Sequence, residues 1–172
     1  MIVRSATLQD LKQIAQLEID NLHDEHQLDV SSKLGQSFSL EQLATILSQG
    51  FIYIAEVNTN IIGYVLVAPW SFFNKWPIYK KMYQQLPMHG ISQQQSCQYG
   101  PIWVNKAYRG KNVFQPLFEA IKQQTLSKYQ HMVTFIAEDN ERSFRAHTRN
   151  DNMKVLDFFE MDERGYYLLA TS

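Results

Sequence analysis

The stretch Tyr99-Gly100-Pro101-Ile102-Trp103-Val104-Asn105-Lys106-Ala107-Tyr108-Arg109-Gly110-Lys111-Asn112-Val113-Phe114 decides how this chain is read. Its first half is apolar and β-rich and predicts a strand over Gln98–Val104. Arg109-Gly110 marks a tight turn. Val113–Tyr129 then carries apolar residues at helical spacing, with Pro116 in the first turn, where a missing N–H is tolerated. A strand, a tight turn and the start of a long helix aim free backbone N–H groups and the positive helix end at one place, which suits a pyrophosphate. The same residues also read as an ordinary strand-to-helix connection with a basic, solvated turn.

On the N-terminal side, Ile2–Ala6 reads as a short strand. Thr7 with Asp10 three residues on is a variant capping box. Leu8, Leu11, Ile14, Ala15, Ile19 and Leu22 follow as the apolar face of a helix. A second capped helix starts at Ser39 and ends at Gly50. Phe51–Val57 and Ile61–Pro69 flank Asn58-Thr59-Asn60 as a hairpin. Ser71–Leu86 is ambiguous: Trp76-Pro77 interrupts it, while Ile78, Met82 and Leu86 suggest a helical second half. On the C-terminal side, His131–Glu138 reads as a strand and Asn140–Arg149 as a short helix. Met153–Met161 and Tyr166–Thr171 make a hairpin around Asp162-Glu163-Arg164-Gly165. This order is that of an α+β sandwich built on one central sheet.

Composition narrows the function. Sixteen Lys+Arg against seventeen Asp+Glu leave a net charge of −1, with no basic block for nucleic acid. The longest apolar run, Ile61–Trp70, is about half of the roughly 20 residues that a membrane span needs. No apolar signal core follows the first residues, and Cys97 alone forms neither an intrachain disulfide nor a multi-cysteine zinc site. His23, Asp24 and His26 read as a solvated loop in the absence of further ligands, so no metal is expected. With 172 residues, the chain is expected to be a single cytoplasmic domain over 1–172 that acts without nucleic acid or membrane.

The Tyr99–Phe114 stretch resembles the signature of the GCN5-related N-acetyltransferase (GNAT) superfamily, in which the fourth strand runs into a Q/R-x-x-G-x-G/A loop holding the pyrophosphate of acetyl-coenzyme A. Here the loop positions are Arg109, Gly110, Lys111, Asn112, Val113 and Phe114. Asn112 replaces the family's glycine, and asparagine is the non-glycine residue best able to adopt positive φ. Phe114 replaces a small residue. The segment Val133–His147 is similar to the family's fifth strand and following N-x-x-S/A helix. Asn152-Met153 and the terminal hairpin continue the likeness over nearly the whole chain.

The resemblance implies a GNAT-like sandwich: a mostly antiparallel sheet of six or seven strands, splayed between strands four and five and flanked by about four helices. It implies acetyl-coenzyme A as co-substrate and a small-molecule or peptide amine as acceptor, in a monomer or homodimer. The amine attacks the thioester directly. Backbone groups of Ile102, Trp103 and Val104 would pair with the pantetheine arm, and a bulge there would offer an N–H to the oxyanion. Arg109 to Phe114 would take the pyrophosphate, and Asn140 and Ser143 would touch the cofactor arm; alternatively Asp139 or Asn140 caps the helix and Ser143 lies on the surface. His147 stands where the family often places a tyrosine that protonates the leaving thiolate, so a cationic imidazole is a candidate acid; a His packed on the sheet is the other reading. Glu138 is a candidate base or a solvated strand end, and Glu18, among the apolar positions of the first helix, is a second candidate base that reads more readily as a rim residue with a salt-bridge partner. Tyr99 is a candidate contact for acceptor or thiolate, or a core residue.

The aromatic run Trp70–Tyr79 suggests an acceptor wall, and equally a cover for the sheet. Two rivals to an acetyltransferase remain at this stage. One is a catalytically silent acyl-coenzyme A binding or sensing module. The other is an interaction domain in which Phe114 has closed the pyrophosphate site.

Overall fold

The computed structural model describes residues 1–22 and 37–172; His23, Asp24 and His26 lie outside the described residues. Seven strands form one sheet in the order β1-β2-β3-β4-β5-β7-β6. They are β1 (Ile2–Ser5), β2 (Phe51–Val57), β3 (Asn60–Ala68), β4 (Ser96–Val104), β5 (His131–Ala137), β6 (Lys154–Met161) and β7 (Arg164–Ala170). The described helices are α1 (Leu11–Asp20), α2 (Leu40–Gln49), α3 (Trp70–Phe73), α4 (Pro77–Gln85), α5 (Phe114–Thr125) and α6 (Glu141–Thr148). These are six helices where about four were expected. The difference lies in Ser71–Leu86, where Trp76 ends one helical turn in extended backbone (ψ 128°) and Pro77 opens the next helix at its first position.

The chain forms two compact units. The first comprises Met1–Val67 and Gly100–Thr125, and the second Ala68–Tyr99 and Leu126–Ser172. In the first, β1 pairs antiparallel with β2, and β2 with β3. The β2–β3 turn places Asn58 and Thr59 at φ 50° and 67°, the left-handed pair that matches the twist of a two-residue hairpin. Ser39 caps α2 reciprocally: its hydroxyl accepts from the Gln42 N–H at 3.1 Å and its own N–H donates to Gln42 Oε1 at 2.9 Å.

At the other capping box the structure departs from the sequence reading. The Asp10 carboxylate accepts from the Thr7 N–H at 2.7 Å, but the turn it starts, Leu8–Asp10, is a 3₁₀ turn. A 3₁₀ turn has three residues per turn, so Leu8 falls out of the α-helical period and is 72% exposed. Ile19 also faces solvent. The buried stripe of α1 is Leu11, Ile14 and Glu18.

Gly63 on β3 shows why that strand approaches α5 so closely. A Cβ built there would lie 2.9 Å from Leu117 Cδ1 and 3.0 Å from the Trp103 carbonyl oxygen. The carbonyl belongs to a strand and cannot yield as a side-chain tip would. Gly63→Ala is therefore expected to destabilise the protein by about 1–3 kcal/mol through overpacking, read as a lower urea midpoint at unchanged m-value. An unchanged midpoint would contradict the close approach of β3 to α5.

In the second unit β4 runs parallel to β5 over Ser96↔His131, Cys97↔Met132 and Gln98↔Val133. β5 and β6 pair antiparallel with β7. The β6–β7 turn is Asp162-Glu163, at φ 51° and 63°. Gly165 thus belongs to the strand, where the Phe158 ring fills the space of a side chain. The aromatic run packs inward: Phe73 and Tyr79 are fully buried, their rings 4.5 Å apart, and Trp76 lies 6.0 Å from Phe73 and 5.9 Å from Tyr79. These contacts favour the covering reading over the acceptor wall.

Candidate functional site

In the first unit, Ile102, Trp103 and Val104 are buried on β4. Asn105 leaves the strand and accepts from the Ala107 N–H at 2.9 Å, starting the short turn Lys106–Tyr108. Arg109 Nε folds back to donate to the Val104 carbonyl at 3.0 Å, so the first residue of the expected phosphate loop anchors the strand end. Gly110 and Asn112 both take left-handed backbone, φ 78° and 60°. Asn112 thus fills the role expected of it in place of glycine.

The Lys111 N–H is committed to the Tyr108 carbonyl at 3.2 Å. Those of Gly110, Asn112 and Val113 find no acceptor among the described residues. Three N–H groups beside the start of a twelve-residue helix are donors of the kind that anion-binding turns use. Phe114, the larger departure from the family pattern, is buried with its ring stacked on Phe118 at 5.9 Å and 13°. Its bulk is spent on the core of α5. These residues fit a pyrophosphate.

In the second unit, four candidates come together. The Asn140 side chain accepts from the Ser143 N–H at 3.2 Å and caps α6. One turn on, the Ser143 carbonyl lies 2.7 Å from His147 Nδ1, and His147 Nε2 lies 3.0 Å from the Tyr99 hydroxyl. A carbonyl only accepts, so Nδ1 carries the proton. Nε2 is then the acceptor and Tyr99 the donor. Ser143, His147 and Tyr99 are all buried, which removes the surface reading of Ser143. Beyond α6 the Asn152 amide donates to the Ala146 carbonyl at 3.1 Å, and the Met153 N–H to that of His147 at 2.9 Å.

Burial lowers the His147 pKa to about 4 against the pull of the Ser143 carbonyl. The expectation of a cationic imidazole acid is therefore corrected: near neutral pH this ring is an uncharged acceptor. Burial likewise holds the Tyr99 phenol well above its ordinary value, so it stays a hydroxyl. Cys97, also buried, is pushed up to about 12 and is no nucleophile.

Glu138 is exposed; its N–H donates to the Gly165 carbonyl at 3.0 Å, and its carboxylate finds no partner among the described residues. Glu18 corrects the rim reading in the opposite sense. It is 0% exposed, taking the Phe38 N–H at 3.2 Å on one oxygen and the Tyr64 hydroxyl on the other. Its place in the stripe Leu11, Ile14, Glu18 was the available signal of its depth. Among the described residues, no helix is long and apolar enough to cross a membrane, and no three side chains are grouped to hold a metal ion.

No family model matches the sequence, and no curated protein matches it. Solved structures do. A ribosomal-protein-alanine N-acetyltransferase from Brucella melitensis superposes with a TM-score of 0.70 at 14% identity, over 99% of this chain and 98% of that one. An N-acetyltransferase from Staphylococcus aureus gives 0.64 at 18% identity, over 98% and 95%. A GNAT-superfamily phosphinothricin acetyltransferase from Sinorhizobium meliloti, in complex with acetyl-coenzyme A, gives 0.66 at 14% identity, over 98% and 86%. The chain has the GNAT fold that its sequence resembles.

Proposed function

We propose that the protein transfers an acetyl group from acetyl-coenzyme A to a primary amine. One observation carries the reading: in a chain of this fold, the β4–α5 turn sets Gly110 and Asn112 in left-handed backbone, and the N–H groups of Gly110, Asn112 and Val113 have no acceptor among the described residues. Acetyl-coenzyme A, as co-substrate, supplies an activated acetyl thioester. The Gly110, Asn112 and Val113 N–H groups take its pyrophosphate, with Lys111 adding positive charge, and β4 at Ile102–Val104 offers backbone groups to the pantetheine arm.

Over the whole reaction the amine loses one proton and the leaving sulfur gains one. In this reading Tyr99 is the donor to the leaving group. Its hydroxyl keeps its proton throughout the neutral range and, by turning from His147 Nε2 to the sulfur, would stabilise the negative charge there by hydrogen bonding. His147 acts through Tyr99 as a positioning residue. Its tautomer is set by the Ser143 carbonyl, and its Nε2 orients the phenol. Glu138, exposed at the end of β5, serves the amine's proton best through water.

Two measurements test this reading: calorimetry with acetyl-coenzyme A, then thiol release across a panel of primary amines. Binding followed by release with at least one amine is expected. Binding without release across the panel would leave a silent acyl-coenzyme A module, and absence of binding would remove the cofactor altogether.

A further inference from the structure

In the second unit, one face of the β5–β7–β6 sheet carries aromatic rings out to its edge. Side chains alternate across a strand, and the register pairs Phe158 with Tyr167, Glu160 with Gly165 and Val155 with Leu169. Val155, Phe158, Glu160, Gly165 and Tyr167 therefore share this face. Phe144 of α6 covers its inner part, with its ring 4.7 Å from that of Tyr167. The Phe158 ring lies 5.5 Å from Tyr167 and reaches across Gly165. A Cβ built on Gly165 would meet Phe158 Cζ at 2.3 Å and the Glu138 carboxyl carbon at 3.0 Å. The missing side chain thus lets a ring and a carboxylate come together over the strand. Phe158 remains 41% exposed and Val155 43%.

The charge at this face is unbalanced. Glu138 is exposed and its carboxylate has no partner among the described residues, whereas Arg164 is held by Asp139 at 2.9 Å. Glu160, Asp162 and Glu163 are also exposed and form no ion pair among the described residues. The outer edge of β6, by contrast, is guarded against an added strand. Asp157 Oδ1 takes the Phe158 N–H at 2.8 Å, and Lys81 of α4 donates to the Glu160 carbonyl. What β6 leaves open is its face.

We propose that this face docks an arginine side chain of a partner polypeptide. A guanidinium is planar and presents its donors as a fork, so it can lie on the Phe158 ring while bonding Glu138; an ammonium is more strongly hydrated and has no flat surface to stack. An exposed ion pair and an exposed cation–π contact are each weak, too weak to retain a free guanidino compound. They serve as the anchor of a larger contact, in which apolar residues beside the arginine cover Val155 and the surrounding carboxylates favour a basic segment. The docking needs no acetyl-coenzyme A and is independent of acetyl transfer.

The test titrates acetyl-Ala-Leu-Arg-Leu-Ala-amide, and its lysine and citrulline counterparts, into the full chain with the backbone amide resonances as readout. Acetyl-coenzyme A is left out, so binding is read apart from turnover. The arginine peptide is expected to shift the Phe158 and Gly165 resonances. It should bind about fivefold or more tightly than the citrulline peptide, which keeps the shape and loses the charge, with lysine between them. Phe158→Leu removes the ring and Glu138→Gln the charge, and each should bring that ratio towards one. Glu138→Gln, at an exposed position, decides the matter alone if Phe158→Leu does not fold.

No shift at these residues, equal binding of the arginine and citrulline peptides, or a ratio intact in Glu138→Gln overturns the proposal. Agmatine binding as tightly as the arginine peptide would make the occupant a small guanidino compound. Concentration-dependent shifts at the same residues without peptide would make it a second copy of this chain. Either of these results also overturns the docking of a partner's arginine.

Discussion

Acidification through the window from pH 6.5 to 4 is expected to cost the protein about 3 kcal/mol of stability through His147 alone. The folded state holds this imidazole at a pKa of about 4, against 6.5 for the ordinary group, because burial disfavours its charged form. In the window the unfolded chain therefore binds the proton that the folded chain refuses. The stabilisation is complete above the unfolded value and is lost as pH falls towards the folded one. Carboxylates such as Asp10, which the Arg4 guanidinium holds below its ordinary value, add losses at lower pH. The contribution of His147 is accordingly the difference between two slopes. Urea unfolding of the wild type and of His147→Phe at pH 7, 5.5 and 4.5 should show a steeper decline for the wild type. Parallel declines would mean that His147 is neither buried nor neutral as described. The same shift leaves roughly one imidazole in a thousand charged at pH 7, so kcat should show no alkaline limb belonging to His147.

Replacing Asn112 by valine should raise the dissociation constant of acetyl-coenzyme A by about tenfold or more. Asn112 stands at φ 60°, where a β-branched residue is a genuine outlier and a left-handed L-residue ordinarily costs about 1–2 kcal/mol. Valine would have to rotate out of that region, carrying its own N–H and that of Val113 out of the turn's donor set. Asn112→Gly restores the residue that this conformation prefers and should bind at least as tightly as the wild type. Titration of acetyl-coenzyme A into the three proteins decides the matter; equal affinity for the valine and glycine variants would remove the turn from phosphate binding.

The Asn112 prediction rests on chemistry that is local, and the local part of this molecule was legible. The capping box at Ser39, the β2–β3 and β6–β7 hairpins and the strand–turn–helix at Tyr99–Phe114 follow from neighbours within a few residues. A cap at Asp139 or Asn140 was equally readable, and the structure gives it to Asn140 through Ser143, three residues on. Even the replacement of a turn glycine by Asn112 was readable, because φ preference belongs to the residue itself. The misreadings arose where a local preference had two outcomes. Thr7 and Asp10 pair as expected, yet a 3₁₀ turn satisfies that pairing as well as an α-helix does, and Leu8 is exposed in consequence.

What the sequence by itself determined, then, is the order of elements, the strand–turn–helix at Tyr99–Phe114 and the absence of charge patterning for nucleic acid. Tertiary structure alone decided the protonation and the partners of the buried groups. His147 and Tyr99 are 48 positions apart, and Glu18 and Tyr64 are 46 apart. Nothing in either residue's own neighbourhood fixes such a pairing. An imidazole in a sequence carries a pKa near 6.5; only the removal of water by strands and helices from distant parts of the chain makes this one a neutral acceptor. Glu18 was visible as a polar residue on an apolar stripe, but whether such a residue snorkels to the rim or is sealed beneath an aromatic pair depends on what packs over it. Desolvation is a property of the assembled fold, and for this protein it sets the chemistry of His147 and Tyr99.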